Sequence, residues 1–270
     1  MSKVPPNGLW ALILGGSSGF GLASAFELAK AGFGVCVVHR DRKGAMARID
    51  PQFEAIRAIA CEFRAFNTDA LDPQCRAKLI SEILETAGRK SIRTLLHSVA
   101  FGSLKPVAPP TRGDQDAKLL DDEELLLTVN AMGTSLLSWT RDLFKAELFA
   151  EDARVLGLTS EGNEIAWRGY AAVSTAKAAL EAVSRSIAVE YGQHGIRSNI
   201  IQPGVTDTPA LRLIPGHEQL MERAKAKNPL GRLTSVEDVA KVVRFLSSDD
   251  ASWINGSLIR ADGGERISGL

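Results

Sequence analysis

Tyr170 and Lys177 lie seven positions apart in GYAAVSTAKAAL, residues 169–180, whose apolar spacing predicts a helix. A phenol can donate a proton or a hydrogen bond, and a nearby ammonium favours its ionised form. The position four before Lys177 is Val173, which has no proton to give. Along a helix, positions four and seven before Lys177 differ by about 60° and about 4.5 Å. A phenol at 170 therefore starts elsewhere but shares the general face. The other tyrosine, Tyr191, falls at the far end of the helix, so Tyr170 is the phenol available. Ser160 offers a hydroxyl ten positions earlier. The four histidines show no metal-ligand spacing, and no metal is expected.

A second group of residues could bind a dinucleotide. LGGSSGFG, residues 14–21, places Gly15, Gly19 and Gly21 between a strand-like and a helix-like run, with Ser17, Ser18 and Phe20 among them. Glycines permit a tight turn and close approach of a pyrophosphate, and the helix start offers free N–H groups. The next apolar run ends VVHRDR, residues 37–42, where a carboxylate would bind a ribose 2′-hydroxyl. His39 and Arg40 stand there, with Arg42 near. A guanidinium suits a 2′-phosphate and favours NADPH over NADH, although Asp41 could turn inward instead. In NTDALDP, residues 67–73, Asp69 could accept from an adenine amino group beside the Ala70 backbone. A helix N-cap is the competing role, and Asp72 before Pro73 suits it better.

These residues need a scaffold, and the pattern supplies one. Strand-like runs fall at 10–14, 34–38, 61–66, 92–99, 153–160, 196–201 and 256–260. Helical patterns occupy 21–32 and lie near 73–88, 122–147, 169–192 and 235–248. This alternation predicts βαβ units in a single doubly wound α/β domain of Rossmann type spanning residues 1–270, its parallel sheet buried on both faces. Two segments break the rhythm. A proline-rich stretch at 102–121 predicts a loop insertion, and 205–228 predicts a lid over the ligand site. The 32 basic and 32 acidic side chains balance, which argues against general nucleic-acid or membrane-surface binding. No signal-like or membrane-spanning run is present, and the cysteines, odd in number and without a C-x-x-C pair, read as reduced thiols of a cytoplasmic protein.

Taken together, GGSSGFG, Asp69, Asn130 in LTVNAMG, Ser160, Lys177, QPGVTDT (202–208) and DGG (262–264) resemble the short-chain dehydrogenase/reductase superfamily over about residues 8–265. That resemblance implies a seven-stranded parallel sheet with three helices on each face. It implies cofactor contacts at Ser98, Lys177, Pro203, Gly204, Val205 and Thr208, and Asn130 as the anchor of a water chain toward Lys177. Two departures resemble its enoyl-acyl carrier protein reductases. These are the Tyr-x6-Lys spacing and HSVAFG, residues 97–102, where an NNAG-like turn is common. The expected activity is NADPH-dependent reduction of an enoyl thioester on acyl carrier protein, in fatty acid synthesis. Tyr170 and Lys177 would be catalytic, and Ser160 a further polar group. Trp139, Trp167 and Phe101 are candidates for an acyl pocket. A short-chain carbonyl or alcohol oxidoreductase and a non-catalytic dinucleotide-binding regulator remain as alternatives. Apolar stripes through Leu125, Val129, Met132 and Leu136, and through Ala179, Val183 and Ile187, predict helix pairing in a homotetramer.

Overall fold

The computed structural model describes residues 8–112, 114 and 116–269. The chain runs β1 (Trp10–Leu14), α1 (Gly19–Lys30), β2 (Gly34–His39), α2 (Met46–Ile59), β3 (Phe63–Asn67) and α3 (Pro73–Ala87). It continues with β4 (Ile92–His97), α4 (Asp122–Val129), α5 (Ser135–Lys145), β5 (Phe149–Leu158) and α6 (Ala171–Glu190). β6 (Ile196–Pro203), α7 (His217–Lys227), α8 (Val236–Ser247) and β7 (Leu258–Ala261) complete it. The strands form one parallel sheet in the order β3-β2-β1-β4-β5-β6-β7. The order reverses between β1 and β4, and a crevice opens there beyond the carboxyl ends of the strands.

Helices cover both faces of the sheet. That is why β1, β2 and β4 are buried throughout and read as apolar runs rather than alternating ones. On one face α3, α5 and α6 bury Leu79, Ile83, Leu136, Trp139 and Leu180. On the other α1, α2 and α8 bury Leu28, Ile56 and Val243. Cys36 on β2 belongs to the first core, and burial pushes its thiol up to about 12. Asp72 caps α3 by accepting from the amides of Gln74 and Cys75, with Pro73 at the first helical position. Among the described residues no helix is long and apolar enough to cross a membrane.

Several local readings differ from the pattern. α2 went unrecognised because Pro51 interrupts its stripe of Ile49, Phe53 and Ile56. The helix expected over 122–147 is broken by a π-turn at Asn130–Thr134, which rotates the residues after it relative to a continuous helix. Leu136 and Ile187, expected on an outward stripe, lie in the core. The outward apolar groups on α4 and α5 are instead Leu126, Leu127 and Leu137. Between 102 and 121 the described residues form neither helix nor strand, and positions 113 and 115 lie outside the described residues.

Candidate active site

A cleft of about 610 Å³ lies at the crevice, lined by the segments that follow β1, β2, β4, β5 and β6. Gly15, Ser17, Ser18, Gly19 and Phe20 form one wall. Gly15 has φ +81°, and a Cβ there would stand 2.5 Å from the Ser98 carbonyl oxygen. Only glycine therefore fits that turn. Gly21 does not face the cleft; a Cβ on it would strike the Gly15 carbonyl, so its absence lets α1 start against the turn. Ser18 is the N-cap of α1 and makes no side-chain cap bond. The first amides of α1 are thus free of a side-chain cap, and a phosphate can take them. Thr208 closes over Gly19, its methyl 3.6 Å from where a Cβ would lie. A glycine-containing turn at a helix start with uncapped amides fits a dinucleotide pyrophosphate.

Arg40 lies at the far end of this wall, half exposed, with its guanidinium 4.8 Å from the centre of the Phe101 ring. Its Nη1 donates to Asp69 Oδ2 at 2.5 Å. Asp69 also accepts from the Leu71 amide, so it shapes a turn rather than capping α3. Asp69 and Ala70 are not lining residues, and the Ala70 carbonyl accepts from the Trp139 indole. Trp139 is therefore core and no part of an acyl pocket. His39 is buried, and its Nδ1 lies 3.0 Å from Asp41 Oδ2. Asp41 is thereby engaged with His39, while Arg40 lines this end of the cleft.

Tyr170 sits just before α6 as its N-cap, buried, with its hydroxyl 3.2 Å from Ser160 Oγ. Its ring packs against Trp167 and fits because Gly162 has no side chain; a Cβ there would run into the ring. Burial pushes the phenol above its ordinary pKa; the Ser160 hydrogen bond lowers it in part, and the Glu161 carboxylate raises it further. This corrects the expectation that Lys177 would favour the phenolate, because burial and Glu161 both hold Tyr170 protonated. Lys177 is buried, and its Nζ donates to the Leu158 carbonyl at 2.8 Å. Burial lowers its pKa to about 8, against an opposing pull from Glu181.

Asn130 is not brought to this group. It is exposed at the start of the π-turn, and its Oδ1 accepts from Thr134 at 3.4 Å. A buried imidazole lies on this side instead. His97 Nε2 is 2.8 Å from Ser135 Oγ, and burial together with Lys177 lowers its pKa to about 3.

Pro203, Gly204 and Val205 line the cleft beyond β6, and Leu104, Met132, Trp167, Ile214 and Leu220 give it an apolar side. Sequence reasoning passed over Glu161, Gly162 and Glu265. Glu161 had a signal, since it follows Ser160 directly at a strand's carboxyl end, where ligands bind. Glu265 had none, because it meets Val205 only through the fold.

A profile of the family described as Enoyl-(Acyl carrier protein) reductase matches residues 15–265. A 3-oxoacyl-[acyl-carrier-protein] reductase of Pseudomonas aeruginosa is 28% identical over 258 residues, covering 96% of this chain and 97% of its own. Among solved structures, the enoyl-[acyl-carrier-protein] reductase (NADH) of Aquifex aeolicus superposes with a TM-score of 0.82 at 24% identity, covering 97% of this chain and 98% of that one. A short-chain dehydrogenase of Burkholderia cenocepacia in complex with NADP has a TM-score of 0.80 at 22% identity, covering 98% and 99%. These two structures share the fold. With the glycine cradle, the switch-point cleft and the profile match in agreement, the chain belongs to the short-chain dehydrogenase/reductase superfamily, in the family described as enoyl-(acyl carrier protein) reductase.

Proposed function

We propose that the protein reduces the C=C bond of enoyl thioesters with NADPH, acting on acyl carrier protein substrates in fatty acid synthesis. The observation that carries this reading is the buried phenol of Tyr170, seven positions before Lys177 and beside the apolar side of the cleft. When bound, the nicotinamide supplies a hydride. Reducing a conjugated C=C requires a donor at the thioester oxygen, three bonds from the carbon that receives hydride. Tyr170 donates there and stabilises the enolate, which then takes a proton at its α-carbon. Lys177 holds the ribose hydroxyls. Arg40 turns from Asp69 to a 2′-phosphate, so Arg40→Ala raises the KM for NADPH far more than that for NADH; equal effects would remove this role.

Residues 205–228 close over the bound ligands as a lid. Slower amide exchange in this segment with NADPH and an acyl ligand is the expected sign, and unchanged exchange at saturation argues against it.

One observation favours a second reading. The Ser160 and Tyr170 hydroxyls, 3.2 Å apart, converge on one point, as reduction of a carbonyl oxygen requires. The P. aeruginosa relative is a 3-oxoacyl reductase by name. NADPH oxidation with matched enoyl and 3-oxoacyl thioesters separates the two. Faster turnover of the enoyl substrate supports the first, and turnover of the 3-oxoacyl substrate alone overturns it. Binding of NADPH without turnover of either points to a regulator.

A further inference from the structure

The turn after β7 reaches back under the cleft. Asp262 shapes it by accepting from the amides of Gly264 and Arg266, each at 3.0 Å. The turn presents Glu265, which is 3% exposed, to the segment after β6. Both carboxylate oxygens accept from the Val205 amide, at 3.3 and 3.2 Å. Glu265 Oε2 would be 2.8 Å from a Cβ on Gly204, so the carboxylate lies flat against the chain at that point. The far end of the same segment is tied to the same turn, because Asn228 Nδ2 donates to the Asp262 carbonyl at 2.9 Å. Both ends of the segment 205–228 are therefore fastened to residues 262–265.

A carboxylate buried to this degree is costly unless it is paired and hydrogen-bonded. We propose that Glu265 is a positioning residue that fastens the Gly204–Val205 backbone against the nicotinamide end of the cleft and forms the base of the 205–228 hinge. It touches neither substrate nor cofactor; it acts through Val205. The inference rests on nicotinamide dinucleotide binding, and not on which bond is reduced.

The charged groups around Glu265 make the fastening depend on pH. Burial raises its pKa and the Val205 hydrogen bond lowers it in part; Glu161 from the segment after β5 and Asp262 from its own turn raise it further, and Lys227 at the end of α7 opposes them. The adjacent Arg266 is taken up by Glu164 at 2.9 Å. A charged acceptor makes a stronger bond than a neutral one, so the fastening weakens as pH falls through the raised pKa.

The test compares the wild-type chain with E265Q and E265A. NADPH and NADH are titrated by nucleotide fluorescence from about pH 4.5, the ordinary carboxylate value, to about pH 8.5, and amide exchange over residues 203–206 is followed without cofactor. E265A is expected to bind NADPH about tenfold more weakly at alkaline pH and to exchange faster at Val205. E265Q keeps an acceptor oxygen and should keep most of the protection. Its affinity should vary with pH only as the cofactor's own phosphate titrates, whereas the wild type should weaken additionally toward acid. Parallel pH curves for wild type and E265Q would overturn the proposal, as would unchanged binding and exchange in a folded E265A. If E265A does not fold, the wild-type and E265Q curves decide. Failure of enoyl turnover leaves every one of these readouts in place. Failure to bind either cofactor, with Val205 exchange still dependent on Glu265, would sink the dinucleotide reading and leave the fastening.

Discussion

Tyr170, Ser160 and Lys177 can be separated by three substitutions. Tyr170→Phe removes the oxyanion donor and should lower kcat on an enoyl thioester by about 10²–10³-fold, leaving NADPH affinity nearly intact. Ser160→Ala should cost less if a C=C bond is reduced and as much or more if a carbonyl is. Lys177→Ala should weaken cofactor binding as well as turnover. Stopped-flow rates and cofactor titrations check all three, and a Tyr170→Phe enzyme at wild-type speed would end the assignment. Lys177 also carries a stability signature. Its pKa falls from 10.5 unfolded to about 8 folded, so between those values the unfolded chain binds more protons. Stability from this group therefore rises with pH across that window, and below about 8 the charge is a cost of about 3 kcal/mol at most. Lys177→Met should be inactive yet more stable than wild type at pH 7 in urea, with the gain shrinking toward pH 10. At this scale the sequence was legible where one residue type decides the chemistry: two tyrosines left one choice. It was illegible for Asn130, whose exposure only the packing of α4 reveals, and for Glu265, whose partner lies sixty positions away.

Elements were legible wherever burial on both faces made a strand apolar throughout, as in β1 and β4. They were obscured where one residue broke the period, as Pro51 does in α2. The carboxyl end of α8 shows a kind of support no period reveals. Arg154, fully buried, donates to the Leu246 carbonyl at 3.1 Å, and Arg93 donates to that of Ser247 at 3.1 Å. Cations suit a helix carboxyl end. Asp152 holds the pair together, touching Arg93, Arg154 and Arg197. Burial pushes its carboxyl up, but these three guanidiniums outweigh that and keep its pKa below the ordinary 3.8. Its contribution is present above 3.8 and lost as pH falls through the folded value. Asp152→Asn should lower stability by about 1–3 kcal/mol at pH 7, with the gap to wild type closing under strong acid. Urea midpoints at both pH values would show it, and a constant gap would contradict it.

For the whole molecule, one sheet with three helices packed on each face was expected and is found, because strand–helix alternation leaves few other topologies. Association was harder to read. Of the named stripes, Met132, Leu136 and Ile187 are buried, while Leu126 at 68% and Leu127 at 49% exposure look outward from α4. Exposed apolar groups clustered on one helix mark a contact surface. A tetramer is the expected state, and Leu126→Glu should shift it toward smaller species by light scattering. A monomeric wild type at micromolar concentration would refute this.

Cys36 gives the fold a clock. Its thiol is fully enclosed on β2, and at about 12 its pKa leaves almost no thiolate at neutral pH. Cys61 and Cys75 are only partly covered. A thiol reagent should therefore label those two early and Cys36 last, through openings that break the central sheet. The slow phase then reports the rate or free energy of global opening, with no engineered reporter residue. Added NADPH should lengthen that phase in proportion to its binding, so one alkylation time course weighs ligand, variant and fold on the same scale.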